Sequence, residues 1–304
     1  MRKTEEIVPN LYKLSLKLDE HEYVNCYLSI TKDHWDVVDA GFNLPEHRES
    51  WEQAAEELNL EFTNLRYIYI THSHPDHIGA AGWLQEKSSA TVYMLEKEKD
   101  ILPLFFSEHN QEALSLGFQQ YGMPKEIGEA RDLMDPGKLV QPLPRVSYIQ
   151  EEDEVQVGDY TFTVKGTPGH AEGLYVLWNE KERILITSDS QVPMVFYWPH
   201  LAGIHAPFDS NPLHTYFQSL EKVAALDAIY VLPGHGEIFS DLKSKNEEVK
   251  HYYNNLIKKT KKQLSLESST STWDISQELF SAYPPDFAML NTLAILEYIK
   301  QETN

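Results

Sequence analysis

Apolar and polar residues alternate with period two in LYKLSLKL (11–18) and YTFTVKG (160–166), the pattern of a strand with one face buried. NCYLSI (25–30), WDVVDAG (35–41), LRYIYI (65–70), TVYM (91–94), LYVLW (174–178), RILITSD (183–189) and AIYVL (228–232) read as further strands. Between them, HRESWEQAAEELNL, IGAAGWLQEK and LHTYFQSLEKVAAL carry apolar residues at helical spacing. Strands alternating with helices predict a layered α/β fold. From about 96 to 145 the pattern turns mainly helical and rich in large apolar residues, an insertion expected to act as a lid or pocket wall or to pack as a helical pair. Beyond Asp241 come a charged helix, a Ser/Thr-rich link and two helical segments, WDISQELF and FAMLNTLAILEYIKQ. The organisation expected is therefore an α/β domain over 1–240 and a helical extension over 241–304.

Charge changes the picture next. The chain carries 26 basic against 47 acidic residues, a net charge of −21, which argues against a nucleic-acid partner, since phosphate binding needs a basic stripe. The one basic run, Lys258–Lys262, reads as the solvated face of a helix. No stretch of 18 apolar residues exists to span a membrane, and the first residues lack a signal-peptide pattern, so a cytoplasmic protein is the expectation. The single cysteine, Cys26, lies in a strand pattern and reads as a buried thiol.

The chemistry sits where strands are expected to end. Asp39 closes WDVVDAG, THSHPDH (71–77) follows LRYIYI, His170 follows YTFTVKG, Asp189 closes RILITSD and His235 follows AIYVL. Taken alone, His72, His74, Asp76 and His77 are either a solvated turn bent by Pro75 or half of a metal site. A fold bringing the five strand ends to one rim would gather five histidines and three carboxylates there. Imidazole and carboxylate donors suit zinc, with iron or manganese as alternatives. His72, His74 and His170 would make one set, open at a fourth position for water. Asp76, His77 and His235 would make a second, with Asp189 bridging. Two such cations share a hydroxide that attacks the substrate.

HSHPDH resembles the His-x-His-x-Asp-His signature of the metallo-β-lactamase superfamily, and TPGHAEG, LITSDS and LPGHGE match its later motifs in order, over roughly residues 5–240. The resemblance implies an αββα sandwich, two mixed β-sheets flanked by helices, with a dinuclear site at one edge. It assigns the same two ligand sets, the bridging role to Asp189, and to Asp39 a supporting role that orients a ligand. The tail resembles the small winged-helix domain of the β-lactamase-like protein 2 branch, with the chain ending where wing strands would follow. The loops around His170 and His235 are similar to those of glyoxalase II thioesterases.

These readings converge on a metal-dependent hydrolase, with two divalent cations, cleaving an ester, thioester or lactone of a small, partly apolar substrate. Asp76 would orient the hydroxide and pass on a proton. Phe196, Tyr197, Trp198 and His205 are the expected pocket residues. A phosphodiesterase or endoribonuclease, an iron-dependent sulfur oxidoreductase and a non-catalytic binding protein are the other readings. Self-association is left open.

Overall fold

The alternation in YTFTVKG is realised as β9 (Tyr160–Gly166), whose Phe162 and Val164 are buried while Thr161 is exposed. In this computed structural model, which describes residues 3–105, 116–129, 139–192, 194, 211–266 and 270–302, two β-sheets stack face to face. The first takes its strands in chain order: β1 (Thr4–Val8), β2 (Leu11–Lys17), β3 (Tyr23–Ile30), β4 (Trp35–Val38), β5 (Leu65–Tyr69), β6 (Thr91–Leu95) and β7 (Val146–Ile149). The second is ordered β12 (Tyr230–Pro233), β11 (Ile184–Ser188), β10 (Tyr175–Asn179), β9, β8 (Glu154–Val157). Tyr27, Val38 and Tyr69 of the first sheet meet Phe162, Val164, Leu177 and Ile186 of the second in one apolar layer.

Helices close both outer faces. α1 (Pro45–Leu58) begins with Pro at its first position, where no amide hydrogen is needed, and stops at Asn59 in the left-handed conformation (φ 54°). Its Trp51 and Ala54 pack on the first sheet beside Trp83 and Leu84 of α3 (Ala81–Ser88), which follows the short α2 (Pro75–Ile78). α4 (Glu98–Phe105) and α5 (Lys125–Glu129) belong to the insertion, of which 106–115 and 130–138 lie outside the described residues. α6 (Pro212–Ala224) covers the second sheet through Val223. It also joins α7 (Leu242–Leu266), α8 (Thr272–Phe280) and α9 (Pro285–Glu302) around Leu220, Tyr253, Phe280 and Ile295. The expected sandwich of two mixed sheets flanked by helices is borne out. Three strands escaped the sequence reading: β1, β7 and β8. No described helix is long and apolar enough to cross a membrane.

Strand direction decides where the site forms. β4 and β5 run parallel, so Asp39 and the THSHPDH loop leave the same edge of the first sheet. β9 and β11 each pair antiparallel with β10, and β11 pairs parallel with β12, so the ends carrying His170, Asp189 and His235 share one edge of the second. Backbone and side-chain bonds tie the sheets there: Asn25 N–H donates to the Gly234 carbonyl (2.7 Å) and the Tyr27 hydroxyl to the Pro233 carbonyl (2.6 Å).

Elsewhere the sheets are pinned by Asp36, fully buried on β4. It accepts from Arg66 Nε (3.0 Å) and Nη2 (2.5 Å), from Tyr67 N–H (3.1 Å), and from Gly158 N–H (2.7 Å) at the turn between β8 and β9. Asp36→Ala removes an acceptor and strands several donors in the interior. A loss of about 3 kcal/mol in urea-unfolding stability is expected. A loss below about 0.5 kcal/mol would show that Asp36 is not a tie between the sheets.

Candidate metal centre

The loop after β5 is short because Pro75 opens α2 immediately, with His74 as its N-cap residue. That turn points His72, His74, Asp76 and His77 to the rim where the second sheet delivers His170, Asp189 and His235. Donor atoms of His72, His74 and His170 fall within 4.8 Å of one another, as do those of His72, His77 and Asp189, and those of Asp76, His77 and His235. All seven residues expected from the sequence therefore meet.

The spacing suits coordination of a metal ion. Tetrahedral bonds of roughly 2.0–2.2 Å set donor atoms about 3.3–3.6 Å apart. Asp189 Oδ2 lies 3.3 Å from His170 Nε2 and 3.4 Å from His235 Nε2, and Asp189 Oδ1 lies 3.4 Å from His77 Nε2. Asp76 Oδ2 stands 3.2 Å from His235 Nε2 and 3.6 Å from His77 Nε2. His170 Nε2 and His74 Nδ1 approach to 3.0 Å. Among the described residues His72 Nε2, His77 Nε2 and Asp189 Oδ1 are buried without a hydrogen-bond partner, an arrangement that a bound cation would complete.

Each imidazole is aimed by its other nitrogen. His170 Nδ1 donates to the Met194 carbonyl (2.7 Å) and His235 Nδ1 to the Tyr23 carbonyl (2.9 Å), which fixes both tautomers and leaves Nε2 to act as the ligand. His77 Nδ1 donates to Asp39 Oδ2 (2.8 Å). Asp39 is held at φ 62° and is buried. Its carboxylate also accepts from Thr71 N–H (2.9 Å), Thr71 Oγ1 (2.9 Å) and Ser188 Oγ (3.1 Å). Thr71 Oγ1 in turn lies 3.1 Å from His72 Nδ1. The sequence reading missed Thr71, Ser188 and Gly234. Each directly precedes a candidate ligand in the chain, a faint signal. A Cβ at Gly234 would overlap Asp189 Oδ1 and press on His77 Cε1 at 3.0 Å, so only glycine lets β12 approach the cluster.

Electrostatics divide the rim into two halves. Burial pushes His72 well below the usual imidazole range and His74 down to about 3, with neighbouring imidazoles adding to the effect. Burial also disfavours charge on His77 and His235. The carboxylates facing them outweigh it: Asp189 first, then Asp76 and Asp39, lift His77 well above its ordinary value. Asp189 and Asp76 lift His235 to about 10. Burial acts to raise Asp76, but His77 and His235 hold it down at about 2. The carboxylates thus favour positive charge at His77 and His235, and burial disfavours it at His72 and His74.

The residues around these donors also carry the decisive match: the family model described as "Metallo-beta-lactamase superfamily" covers residues 20–235. The chain belongs to the metallo-β-lactamase superfamily. A superfamily structure from Thermus thermophilus superposes with a TM-score of 0.85 and 28% identity, covering 98% of this chain and 95% of that one. The "probable metallo-hydrolase YqjP" of Bacillus subtilis is 23% identical over 82% of this chain and 78% of its own length. The "beta-lactamase-like protein 2 homolog" of Caenorhabditis elegans is 24% identical over 86% of this chain and 72% of its own. Two partial matches, each 26% identical, are named hydroxyacylglutathione hydrolase. The chain is accordingly a metal-dependent hydrolase of this superfamily. Phe196, Tyr197, Trp198 and His205 lie outside the described residues.

Asp39→Asn keeps the shape but replaces one oxygen with an NH2 donor, so the side chain no longer accepts from His77 and Thr71 together. A metal affinity 10- to 100-fold weaker, roughly, is expected from competition with a chromogenic chelator. An unchanged affinity would remove Asp39 from any role in orienting His77. Proton release gives a second check. Zinc added to chelator-treated protein in weakly buffered solution at pH 8 should acidify it, because neutral imidazoles must replace the charged ones. No acidification would contradict the charge balance described above.

Proposed function

We propose that the protein holds two divalent cations and hydrolyses a carbonyl substrate: an ester, thioester or lactone. His72, His74 and His170 would hold one cation, Asp76, His77 and His235 the other, and Asp189 would lie between them. The observation that carries this reading is Asp189, whose carboxylate stands 3.3–3.4 Å from imidazole nitrogens of both sets. Three or four nitrogen and oxygen donors at tetrahedral spacing favour zinc, with iron and manganese the alternatives.

Bound there, the cations would supply Lewis acidity, lowering a water's pKa toward neutrality and polarising a carbonyl. The chain's own residues do the rest. Asp76, partly exposed on the cleft, is placed to accept a hydrogen bond from the attacking water and to carry its proton toward the leaving group. His170 and His235 are held rigid by the carbonyls of Met194 and Tyr23, so the reacting centre meets preorganised groups. A cleft of about 860 Å³ opens over His74, Asp76, His170 and His235, a volume that suits a small-molecule substrate. The thioester option is supported by the glyoxalase II-like loops and by the relatives named hydroxyacylglutathione hydrolase.

Purified protein should carry about two equivalents of zinc, iron or manganese by elemental analysis. A panel of aryl esters, acyl thioesters and lactones, set against bis-p-nitrophenyl phosphate and single-stranded RNA, tests the reaction class. Chelator-sensitive turnover is expected among the carbonyl substrates. Metal-dependent turnover confined to the phosphodiester or RNA would replace this reading with a phosphodiesterase. Absence of metal, together with unchanged thermal stability in His72→Ala and His235→Ala, would remove the site itself.

A further inference from the structure

The cleft above the metal-ligating side chains has a second wall from a distant part of the chain. Tyr283, at the turn entering α9, and Phe287 and Leu290, within it, face the same cavity as Asp76, His170 and His235. Phe287 and Leu290 are three residues apart and so share one face of the helix. Leu290 is buried with Phe118, Met123, Met289 and Leu293, and Phe287 and Met194 pack against that cluster. The wall is therefore backed by a packed core that keeps its shape when the cleft is empty. Met194 belongs to both structures: its side chain joins the apolar cluster while its carbonyl orients His170. Leu18 and Phe42 add further apolar surface to the cavity lining. Tyr283 keeps 43% of its surface exposed here, on a chain whose surface is otherwise strongly acidic. An apolar wall that opens onto a reactive centre is shaped for ligand rather than for packing.

We propose that the C-terminal helix forms the acyl-binding wall of the active site and selects aliphatic acyl groups. This rests on the carbonyl-hydrolase reading above. The acyl chain lies against Tyr283, Phe287 and Leu290, with its carbonyl carbon over the metal-ligating donors. Water's oxygen forms the new bond to that carbon, and the bond to the leaving sulfur or oxygen breaks. The leaving group departs with one proton from the water, the other is released to solvent, and a carboxylate remains against the wall.

The product supplies a probe that needs no turnover. Straight-chain carboxylates from acetate to decanoate are titrated into the zinc-loaded full chain by calorimetry. Each added methylene should tighten binding about fourfold until the wall is covered, the equivalent of about 0.8 kcal/mol per buried methylene. Tyr283→Ala, at a half-exposed position that opens no core cavity, and Phe287→Ala should both flatten this slope with zinc content retained. A parallel kinetic series varies the acyl length at a constant thiol, then the thiol length at a constant acetyl group. kcat/KM should climb in the first series and stay level in the second. A flat carboxylate series, a slope unchanged in both variants, or length dependence confined to the leaving group overturns the proposal. The two readings fail separately. Chain-length-dependent carboxylate binding without turnover of any ester or thioester would sink the hydrolase reading alone. Good turnover with no chain-length preference would sink the acyl wall alone.

Discussion

Burying a carboxylate away from water costs several kcal/mol unless donors surround it. Asp39 meets that demand by recruiting Thr71 from the loop after β5, Ser188 from the end of β11, and His77 from α2. Those donors come from both sheets, so the two edges can be joined at this point only in one register. Thr71 and Ser188 each stand next to a candidate ligand, His72 and Asp189. Satisfying Asp39 therefore also places the metal-facing groups on either side of it. The unusual backbone at the site follows from the same constraint. Asp39 at φ 62° and Ser188 at φ 44° hold conformations that cost of order 1 kcal/mol or more each, and the shared hydrogen bonds over-determine them.

Outside that network the cluster is under electrostatic load. Asp76 and Asp189 face His77 and His235 at 3.2–3.6 Å, with His72 and His74 buried beside them in neutral form. Two carboxylates and five imidazoles gathered together make a poor core: atoms such as His72 Nε2 and Asp189 Oδ1 find no hydrogen-bond partner among the described residues. A core selected for stability alone would fill this edge with apolar side chains. That the fold keeps unsatisfied nitrogen and oxygen donors at ligand spacing is the physical argument for cations, independent of any relative.

The candidate ligands were legible because their signal is dense and directional: three histidines and an aspartate within six residues, then single residues at the ends of strands whose periodicity was clear. Their convergence followed once β4 and β5, and β9, β11 and β12, were known to run in common directions. What stayed hidden has no side-chain signature. The carbonyls of Met194 and Tyr23 aim two imidazoles, and any residue has a carbonyl. Thr71 and Ser188 are common residues whose role appears only across the sheet gap. Gly234 looks like an ordinary turn glycine until Asp189 is seen against it. The strands missed were of the same kind. TEEIV, VSYI and EVQV are short, and the first and second lie at the two edges of the larger sheet. β7 pairs with β6 only after an insertion of some fifty residues, so nothing local marks it.

The C-terminal helices show how packing can recast a segment that reads as an appendage. α9 is buried almost without interruption from Ala288 to Ile295, so apolar residues surround it rather than lining one stripe. A helix of that kind must be covered on more than one side. One side is met by α6, α7 and α8, where Ala288, Ala294 and Ile295 pack with Leu213, Tyr216 and Tyr253. Another is met by Phe118 and Met123 of the insertion. Tyr216 links this packing back to the rim. Its hydroxyl donates to the Val192 carbonyl (2.7 Å), and its backbone lies so close to Gly169 that no side chain fits there, one residue before His170. The helical tail thus bears on the His170 loop through α6 and through Met194, while its remaining face opens onto the cleft. Stability and substrate contact are properties of the same helix, and a change that loosens one is felt at the other.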